Sequence, residues 1–285
     1  MEFNNSQELE GEVSIHTMRR SAIKLADCPH IVICMPIGTK EDATLFETPD
    51  GKTWIQPGVR AHGLVPIQWV LNNQQWVMPL NVAMSTMCQW GMLSAKARQY
   101  MTMAVLRDAP NCKYIFYVDD DVLIPPLGLY TLHNFMEQHP EVGAISGVYV
   151  TRQDPCEPVV YKNHGEGAFW NFKIGDAPVE VMGFGAGCVL ARIEAIKKII
   201  ELNPPDTPIW ADEVAIPGND PKTVDFKVTW GHDIRFCKLI QEVGYKVYLD
   251  PRVECGHWDI VEQKEYRLPA DSLPKRKEEI KNDIT

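Results

Sequence analysis

The sequence predicts an α/β protein with a mostly parallel central sheet flanked by helices. Short apolar runs rich in β-branched and aromatic residues are typical of buried strands. Segments with apolar residues three and four positions apart alternate with these runs, as helices do in βα units. The chain has 285 residues, of which 45% are hydrophobic, so it is long enough for one large or two small domains.

Turn residues separate the predicted elements. Pro36 and Gly38 stop the first strand, Pro125 opens a helix, and Gly244 ends another. Strands are predicted at 30–35, 81–85, 114–118, 142–150 and 246–250. Helices are predicted at 64–75, 93–107, 125–138, 193–202 and 232–243, with a weak helix around residues 19–26 and a surface helix at 275–281. Loops are predicted at 39–63, at 151–180 and, in irregular form, at 203–223, with a glycine-rich segment at 180–190.

The composition argues against several classes of function and predicts where the protein is located. A formal net charge of −10 argues against an extended basic surface for nucleic acid, although it leaves room for a local basic groove. Residues 1–11 are polar and lack the apolar core of a signal peptide. No stretch of the sequence approaches the roughly 20 consecutive apolar residues that a membrane-spanning helix needs. We therefore expect a soluble, cytoplasmic protein without a membrane span. The eight cysteines form no C-x-x-C pair, so neither a disulfide framework nor a structural zinc site is expected.

Three consecutive acids follow the apolar strand at residues 114–118. Asp119, Asp120 and Asp121 repel one another, so the fold must place a cation or a solvated surface beside them. Carboxylate oxygens suit hard ions such as Mg²⁺ or Mn²⁺, which commonly hold substrate phosphates. In parallel sheets, ligands bind beyond the carboxyl ends of the strands. The triplet therefore points toward nucleotide chemistry, with a solvated acidic turn as the alternative.

Two further segments combine acid and imidazole groups. Asp233 follows His232 in the first turn of a predicted helix, where it is either a general base or an acid that the helix dipole favours. His257 lies just past the strand at 246–250. Its imidazole is an acceptable ligand for Mn²⁺ beside carboxylates, although a lone histidine is more often only hydrogen-bonded.

Cations and glycines supply two weaker signals. Lys96 and Arg98 lie near the start of the helix at 93–107, where they face either diphosphate oxygens or solvent. Gly183, Gly185 and Gly187 allow a backbone to approach a ligand closely. This spacing is not a dinucleotide fingerprint, because no early strand precedes it and no ribose-binding acid follows it.

Taken in order, these elements resemble family 2-type glycosyltransferases with the GT-A fold, of the type found in phage and prophage genomes. The resemblance covers residues 30–258. It implies a nucleotide-binding half at 30–125 and an acceptor-binding half at 126–258, with an N-terminal extension at 1–29 and a C-terminal tail at 259–285. The matching pieces are the strand at 30–35, the helix with Ala97 and Arg98, the triplet Asp119 to Asp121, the glycine-rich stretch from Gly183 to Leu190, the helix from His232 to Gly244 and Tyr245, and residues 253–257.

The resemblance also implies a role for each matching residue. The family usually has Glu at the position of His232 and Asn at that of Gln99, which leaves Asp233 intact but alters its surroundings. The implied roles are the catalytic base for Asp233, nucleotide binding for Pro36, Lys96, Arg98, Asp119 and Asp120, metal binding for Asp121 and His257 together with Asp119, and acceptor binding for Gly185, Ala186, Gly187 and His232.

The activity implied is transfer of a sugar from a nucleotide-diphosphate donor, such as a UDP-sugar, to an acceptor hydroxyl with inversion and with Mn²⁺ or Mg²⁺. A hydroxymethylated base in phage DNA, a glycan, a protein and a lipid-linked acceptor all stay open. Several aromatic residues are candidates for stacking on a base or a sugar, with packing in the core or in loops as the alternative: Phe169, Trp170, Phe172, Trp210 and Trp230. Two other functions stay open, a nucleotidyltransferase on a similar sheet and a metal-dependent nucleotide- or sugar-binding protein without turnover.

Overall fold

A computed structural model describes residues 30–37, 44–47, 53–56, 65–90, 92–163, 165–203, 207–215 and 227–268. Only the backbone is described for residues 44–47, 53–56, 213–215 and 227–230. The predicted helices around 19–26 and at 275–281 lie outside these ranges, and the domain division stays a prediction.

A seven-stranded sheet forms the centre of the fold. In spatial order its strands are β4 (Ala83–Trp90), β1 (His30–Ile37), β5 (Cys112–Val118), β11 (Cys188–Arg192), β7 (Val142–Val148), β14 (Lys246–Glu254) and β9 (Val179–Glu180). Five of these strands share one direction, while β11 and β9 run opposite. The predicted class, an α/β fold with a mostly parallel central sheet, is confirmed.

Helices cover both faces of the sheet, as its apolar pattern requires. Alternate residues of β5 point to opposite sides, with Ile115 and Tyr117 in one buried cluster and Phe116 in the other. The helices are α1 (Ile67–Asn73), α2 (Ser94–Asp108), α3 (Gly128–Gln138), α4 (Ile193–Leu202) and α5 (His232–Glu242). Helices α2, α4 and α5 pack on the first cluster, and α1 and α3 pack on the second. Among the described helices, none combines the length and apolar character needed to cross a bilayer.

Small sheets form around the central sheet, and several of their strands lie in segments that the sequence predicted as loops. The short strands are β2 (Thr44–Glu47) with β3 (Thr53–Gln56), β8 (Val160–Tyr161) with β10 (Gly183–Phe184), β12 (Glu213–Ala215) with β13 (Lys227–Trp230), and β6 (Val122–Leu123) with β15 (Gly256–Asp259) and β16 (Lys264–Tyr266). Some of them join segments that are distant in the sequence, such as β6 with β15 and β8 with β10, and local composition does not reveal such pairing. The loop predictions at 39–63, 151–180 and 203–223 are therefore wrong where these strands form.

Local sequence patterns predict where a helix ends better than which of its side chains are buried, as two helices show. Helix α5 ends as predicted at Gly244, whose φ of +87° is the left-handed conformation that glycine adopts without strain. On helix α2 the aromatic side chain of Tyr100 is exposed. Arg98 and Thr102 are buried instead, since the fold provides partners for both polar groups.

Candidate functional site

The acidic triplet lies where β5 leaves the sheet. Its backbone is fixed from three directions: the amide of Asp119 donates to the carbonyl of Gly187 (3.1 Å), Trp69 Nε1 donates to the carbonyl of Asp119 (2.8 Å), and the amide of Trp258 donates to the carbonyl of Asp121 (2.8 Å). The Asp121 side chain is fully buried, whereas that of Asp119 is 22% exposed. The two carboxylates therefore face different surroundings.

Arg98 is the cation that faces Asp119. Its guanidinium is buried and donates from Nη2 to Asp119 Oδ1 at 2.5 Å and to the carbonyl of Ala186 at 3.3 Å. Nη1 donates to Asp233 Oδ1 at 3.3 Å. Burial lowers the pKa of Arg98, but the charges of Asp119 and Asp233 outweigh that effect and raise it. Arg98 thus joins β5, the glycine-rich stretch and the start of α5 through one permanently charged fork.

Aromatic and polar side chains pack tightly around the Arg98 guanidinium. Trp210 is buried, its ring stacks on Phe236 with centroids 4.2 Å apart, and the Arg98 guanidinium lies 5.3 Å above its centroid. Gln99 Oε1 accepts the amides of Ile209 (2.8 Å) and Trp210 (3.0 Å). Trp210 is therefore part of the core, not a stacking platform, and Gln99 anchors the segment that follows α4.

Asp233 lies on the first turn of α5. Its Oδ1 is 2.9 Å from His232 Nε2, and its side chain is 27% exposed. Burial raises the pKa of the Asp233 carboxyl, but the hydrogen bond from His232 and the charge of Arg98 outweigh it, so the pKa is lowered. Asp233 is consequently ionised at neutral pH and still reachable from the solvent side.

Asp212 belongs to the same cluster, although sequence analysis did not single it out. Its Oδ1 accepts the backbone amide of His232 at 2.7 Å and lies 3.2 Å from His232 Nδ1. Burial lowers the pKa of His232, but the hydrogen bonds to Asp233 and Asp212 outweigh the effect of burial, so the pKa is raised. Asp212 lies 20 positions before His232 in a proline-rich segment, where no local pattern marks it.

Asp121 and His257 form a second, buried group. Pairing of β6 with β15 sets His257 opposite Val122, and His257 Nε2 lies 3.2 Å from Asp121 Oδ2. His257 Nδ1 donates to the carbonyl of Val150 at 2.6 Å, the usual outer contact of a metal-binding histidine. In the neutral ring, Nε2 then presents a lone pair to the carboxylate. This oxygen and nitrogen donor set fits Mn²⁺ or Mg²⁺.

The third predicted metal ligand lies elsewhere in the site. Asp119 is held by Arg98, and within the described ranges no three His, Cys, Asp or Glu side chains are grouped for a metal. Arg152, which the sequence analysis did not identify, lies with Nη1 3.3 Å from Asp121 Oδ2. The structure thus places two of the three predicted ligands together and adds a neighbouring cation.

Three other predicted site residues differ in their surroundings. Pro36 is buried at the end of β1, paired with Gln89. Asp120 is buried within the triplet. Lys96 is exposed on α2.

Gly185 and Gly187 have a packing reason to be glycine. A Cβ built on Gly185 would lie 2.0 Å from the Tyr149 hydroxyl, and one on Gly187 would lie 2.8 Å from Val122 Cγ2. The Tyr149 hydroxyl is buried and accepts the amide of Gly187 at 3.3 Å. Their neighbour Ala186 contributes its carbonyl to Arg98.

Comparison with known proteins finds similarity only among solved structures. No protein-family model and no curated protein matches the chain. Similar structures include A197 from STIV, with 12% sequence identity over 85% of this chain and 94% of that chain at a TM-score of 0.46. They also include S. aureus TarS 1-349, with 10% identity over 79% of this chain and 58% of that chain at a TM-score of 0.39.

The complex of TarS 1-349 with UDP-GlcNAc gives a similar result, with 10% identity over 79% of this chain and 56% of that chain at a TM-score of 0.40. This chain therefore spans less than two thirds of either TarS structure.

Proposed function

We propose that this protein is a metal-dependent glycosyltransferase with a GT-A fold, which moves a sugar from a nucleotide-diphosphate donor, such as a UDP-sugar, to an acceptor hydroxyl. One observation carries the proposal. The Arg98 guanidinium binds the carboxylates of Asp119 and Asp233 beyond the carboxyl end of β5, where α/β sheets bind ligands. The His257 imidazole contacts the Asp121 carboxylate at the same end of the strand.

The donor half of the site would hold the diphosphate by charge. Asp121 and His257 would bind Mn²⁺ or Mg²⁺, and when bound the ion neutralises negative charge on the departing diphosphate. Arg98 offers a buried guanidinium beside Asp119, and its fork geometry suits phosphate oxygens. Asp119 is the carboxylate left to face the nucleoside.

The acceptor half would supply the base. Asp233 is ionised and partly exposed, so it can take the proton from an acceptor hydroxyl. As that proton moves to Asp233, the acceptor oxygen bonds to the anomeric carbon and the bond from this carbon to the diphosphate oxygen breaks. Attack from the opposite face inverts the configuration. The backbone of Gly185, Ala186 and Gly187 borders this space.

The acceptor is proposed only as a class of compound. A hydroxymethylated DNA base fits the resemblance to phage enzymes and would have to be flipped out or single-stranded. The net charge of −10 works against extended DNA contacts. Glycans, proteins and lipid-linked acceptors are therefore included with modified DNA in the test.

The test is a transfer and hydrolysis screen of nucleotide sugars with Mn²⁺, followed by mass spectrometry of the products. We expect a glycosylated product from the wild-type chain and a loss of at least about 100-fold in kcat in Asp233→Asn, with nucleotide binding retained. Asp176→Asn is the matched control, because Asp176 caps an exposed turn by accepting the amide of Lys173 at 2.8 Å.

Three results would contradict the proposal. A nucleotidyl-transfer product would identify a nucleotidyltransferase. Binding of nucleotide sugars without hydrolysis or transfer would identify a binding protein. Full turnover in Asp233→Asn would refute the assignment of the base.

A further inference from the structure

His232 is placed between two carboxylates. Its Nδ1 lies 3.2 Å from Asp212 Oδ1 and its Nε2 lies 2.9 Å from Asp233 Oδ1. The Asp212 side chain is 50% exposed, and those of His232 and Asp233 are 23% and 27% exposed. The three groups therefore form a continuous path from the predicted acceptor space to solvent.

The hydrogen-bonding partners determine which ring nitrogen carries a proton. Asp212 offers His232 only acceptor atoms, so Nδ1 must be the donor in that contact. In the neutral ring, Nε2 is then an acceptor, and Arg98 Nη1 lies 3.1 Å from it. In the protonated ring, Nε2 becomes a donor and Asp233 is the acceptor. His232 thus has two complete hydrogen-bonding patterns that differ by one proton.

Resting on the function proposed above, we propose that His232 receives the proton that Asp233 removes from the acceptor, and that Asp212 is the positioning residue that orients His232 for this step. The proton passes from the acceptor hydroxyl to Asp233 and then to His232 Nε2. The Nε2 contact with Arg98 is replaced by one with Asp233. The imidazolium holds the proton between two carboxylates until water takes it up.

The segment that carries Asp212 is fixed in place for this role. Gln99 on α2 accepts the amides of Ile209 and Trp210, and Arg235 Nη1 on α5 donates to the carbonyl of Ile209 at 3.1 Å. Asp212 also accepts the amide of His232 at 2.7 Å, which caps the start of α5. Its position relative to the ring is therefore set by both helices.

The charges around His232 give the direction of the pH effect. The charged side chains described at the ring are Asp212 from the segment before β12, Arg98 from α2 and Asp233 from α5 itself. Tyr149, Tyr161 and Cys237 are the titratable groups that interact with Asp233 from behind. Since Asp212 stabilises the imidazolium, removing its charge favours the neutral ring. Activity requires the neutral ring before transfer, so the acidic limb of the kcat profile moves to lower pH.

The experiment compares Asp212→Asn with the wild-type chain and with the control Asp176→Asn. Asn keeps an oxygen that accepts the amide of His232, so the cap of α5 and the melting temperature are retained. We expect Asp212→Asn to lower kcat about tenfold, to leave nucleotide affinity unchanged and to shift the acidic limb down by about half a pH unit. Asp176→Asn changes none of these.

A second measurement separates this inference from the proposed function. The pKa of His232 is followed by NMR titration, with the resonance assigned through His232→Gln. A fall of this pKa in Asp212→Asn supports the coupling even when no donor sugar is known, and an unchanged pKa overturns it. A lower kcat with an unmoved acidic limb also overturns it, because a merely structural role produces that result. Absence of transfer by the wild-type chain contradicts the proposed function and leaves the NMR result to decide the coupling.

Discussion

Gly185→Ala tests the packing that shapes the proposed acceptor space. The added Cβ would lie 2.0 Å from the Tyr149 hydroxyl and 2.8 Å from Val159 Cγ1, so the Tyr149 ring must move. Overpacking a buried site costs about 1–3 kcal/mol. Loss of the hydrogen bond from the Gly187 amide to this hydroxyl adds about 0.5–1.5 kcal/mol. We expect a loss of about 2–4 kcal/mol in the free energy of unfolding.

A double-mutant cycle with Tyr149→Phe makes the prediction specific. Removing the hydroxyl leaves Tyr149 Cζ at 3.0 Å as the nearest ring atom to the new methyl group. The combined variant should therefore be more stable than the sum of the single changes predicts, by about 1–2 kcal/mol. Urea unfolding followed by tryptophan fluorescence measures each free energy. Gly231→Ala is the control, since no heavy atom lies within 4 Å of its built Cβ, and it should cost less than about 1 kcal/mol.

The reasoning would be refuted in either of two ways. Gly185→Ala with wild-type stability would mean that the contact with Tyr149 does not constrain the backbone. Strict additivity with Tyr149→Phe would mean that the cost arises from other neighbours.

Three further predictions concern the chain that follows the acidic triplet and the charged residues of the site. Asn72→Ala removes both hydrogen bonds to the backbone of Ile124, each 2.9 Å, and should lower the unfolding free energy by about 1–3 kcal/mol in urea titrations. Arg98→Met leaves two partly exposed carboxylates without their cation, which should cost about 2–4 kcal/mol and weaken nucleotide binding in calorimetry. The pKa of the Asp233 carboxyl is lowered from its usual value of 3.8 in the folded protein, so the stabilisation by this ionised group is complete above that value and is lost as pH falls through the folded pKa. Asp233→Asn should therefore make the free energy of unfolding depend less on pH below about pH 4, as measured by urea unfolding at a series of pH values.

Local patterns predicted most elements of the sheet and its helices. The apolar run before the acidic triplet is β5, and Ile193–Leu202 is a helix with the predicted bounds, because burial imposes a period that is visible in the residues themselves. Strand pairing carries no such signal. The segment Cys188–Arg192 forms β11, which lies between β5 and β7 and runs antiparallel to both. Only tertiary contacts determine this position and direction.

The candidate site was predictable where chemistry is concentrated in short segments. Arg98, Asp119 and Asp233 were each singled out from their neighbours in the sequence, and the fold brings them within hydrogen-bonding distance. Asp212 and Arg152 were missed, since each lies alone in a segment whose composition is typical of loops. Their roles depend on contacts across the fold, with His232 and with Asp121.

Manganese-dependent binding of uridine diphosphate, measured by calorimetry, tests the central claim most directly. That claim is that Asp121 and His257 hold a metal ion beside a nucleotide-diphosphate site. We expect the wild-type chain to bind uridine diphosphate only with Mn²⁺ present, and Asp121→Asn and His257→Gln to bind it at least about tenfold more weakly while staying folded. Equal binding by both variants, or no metal-dependent binding by the wild-type chain, would contradict the account.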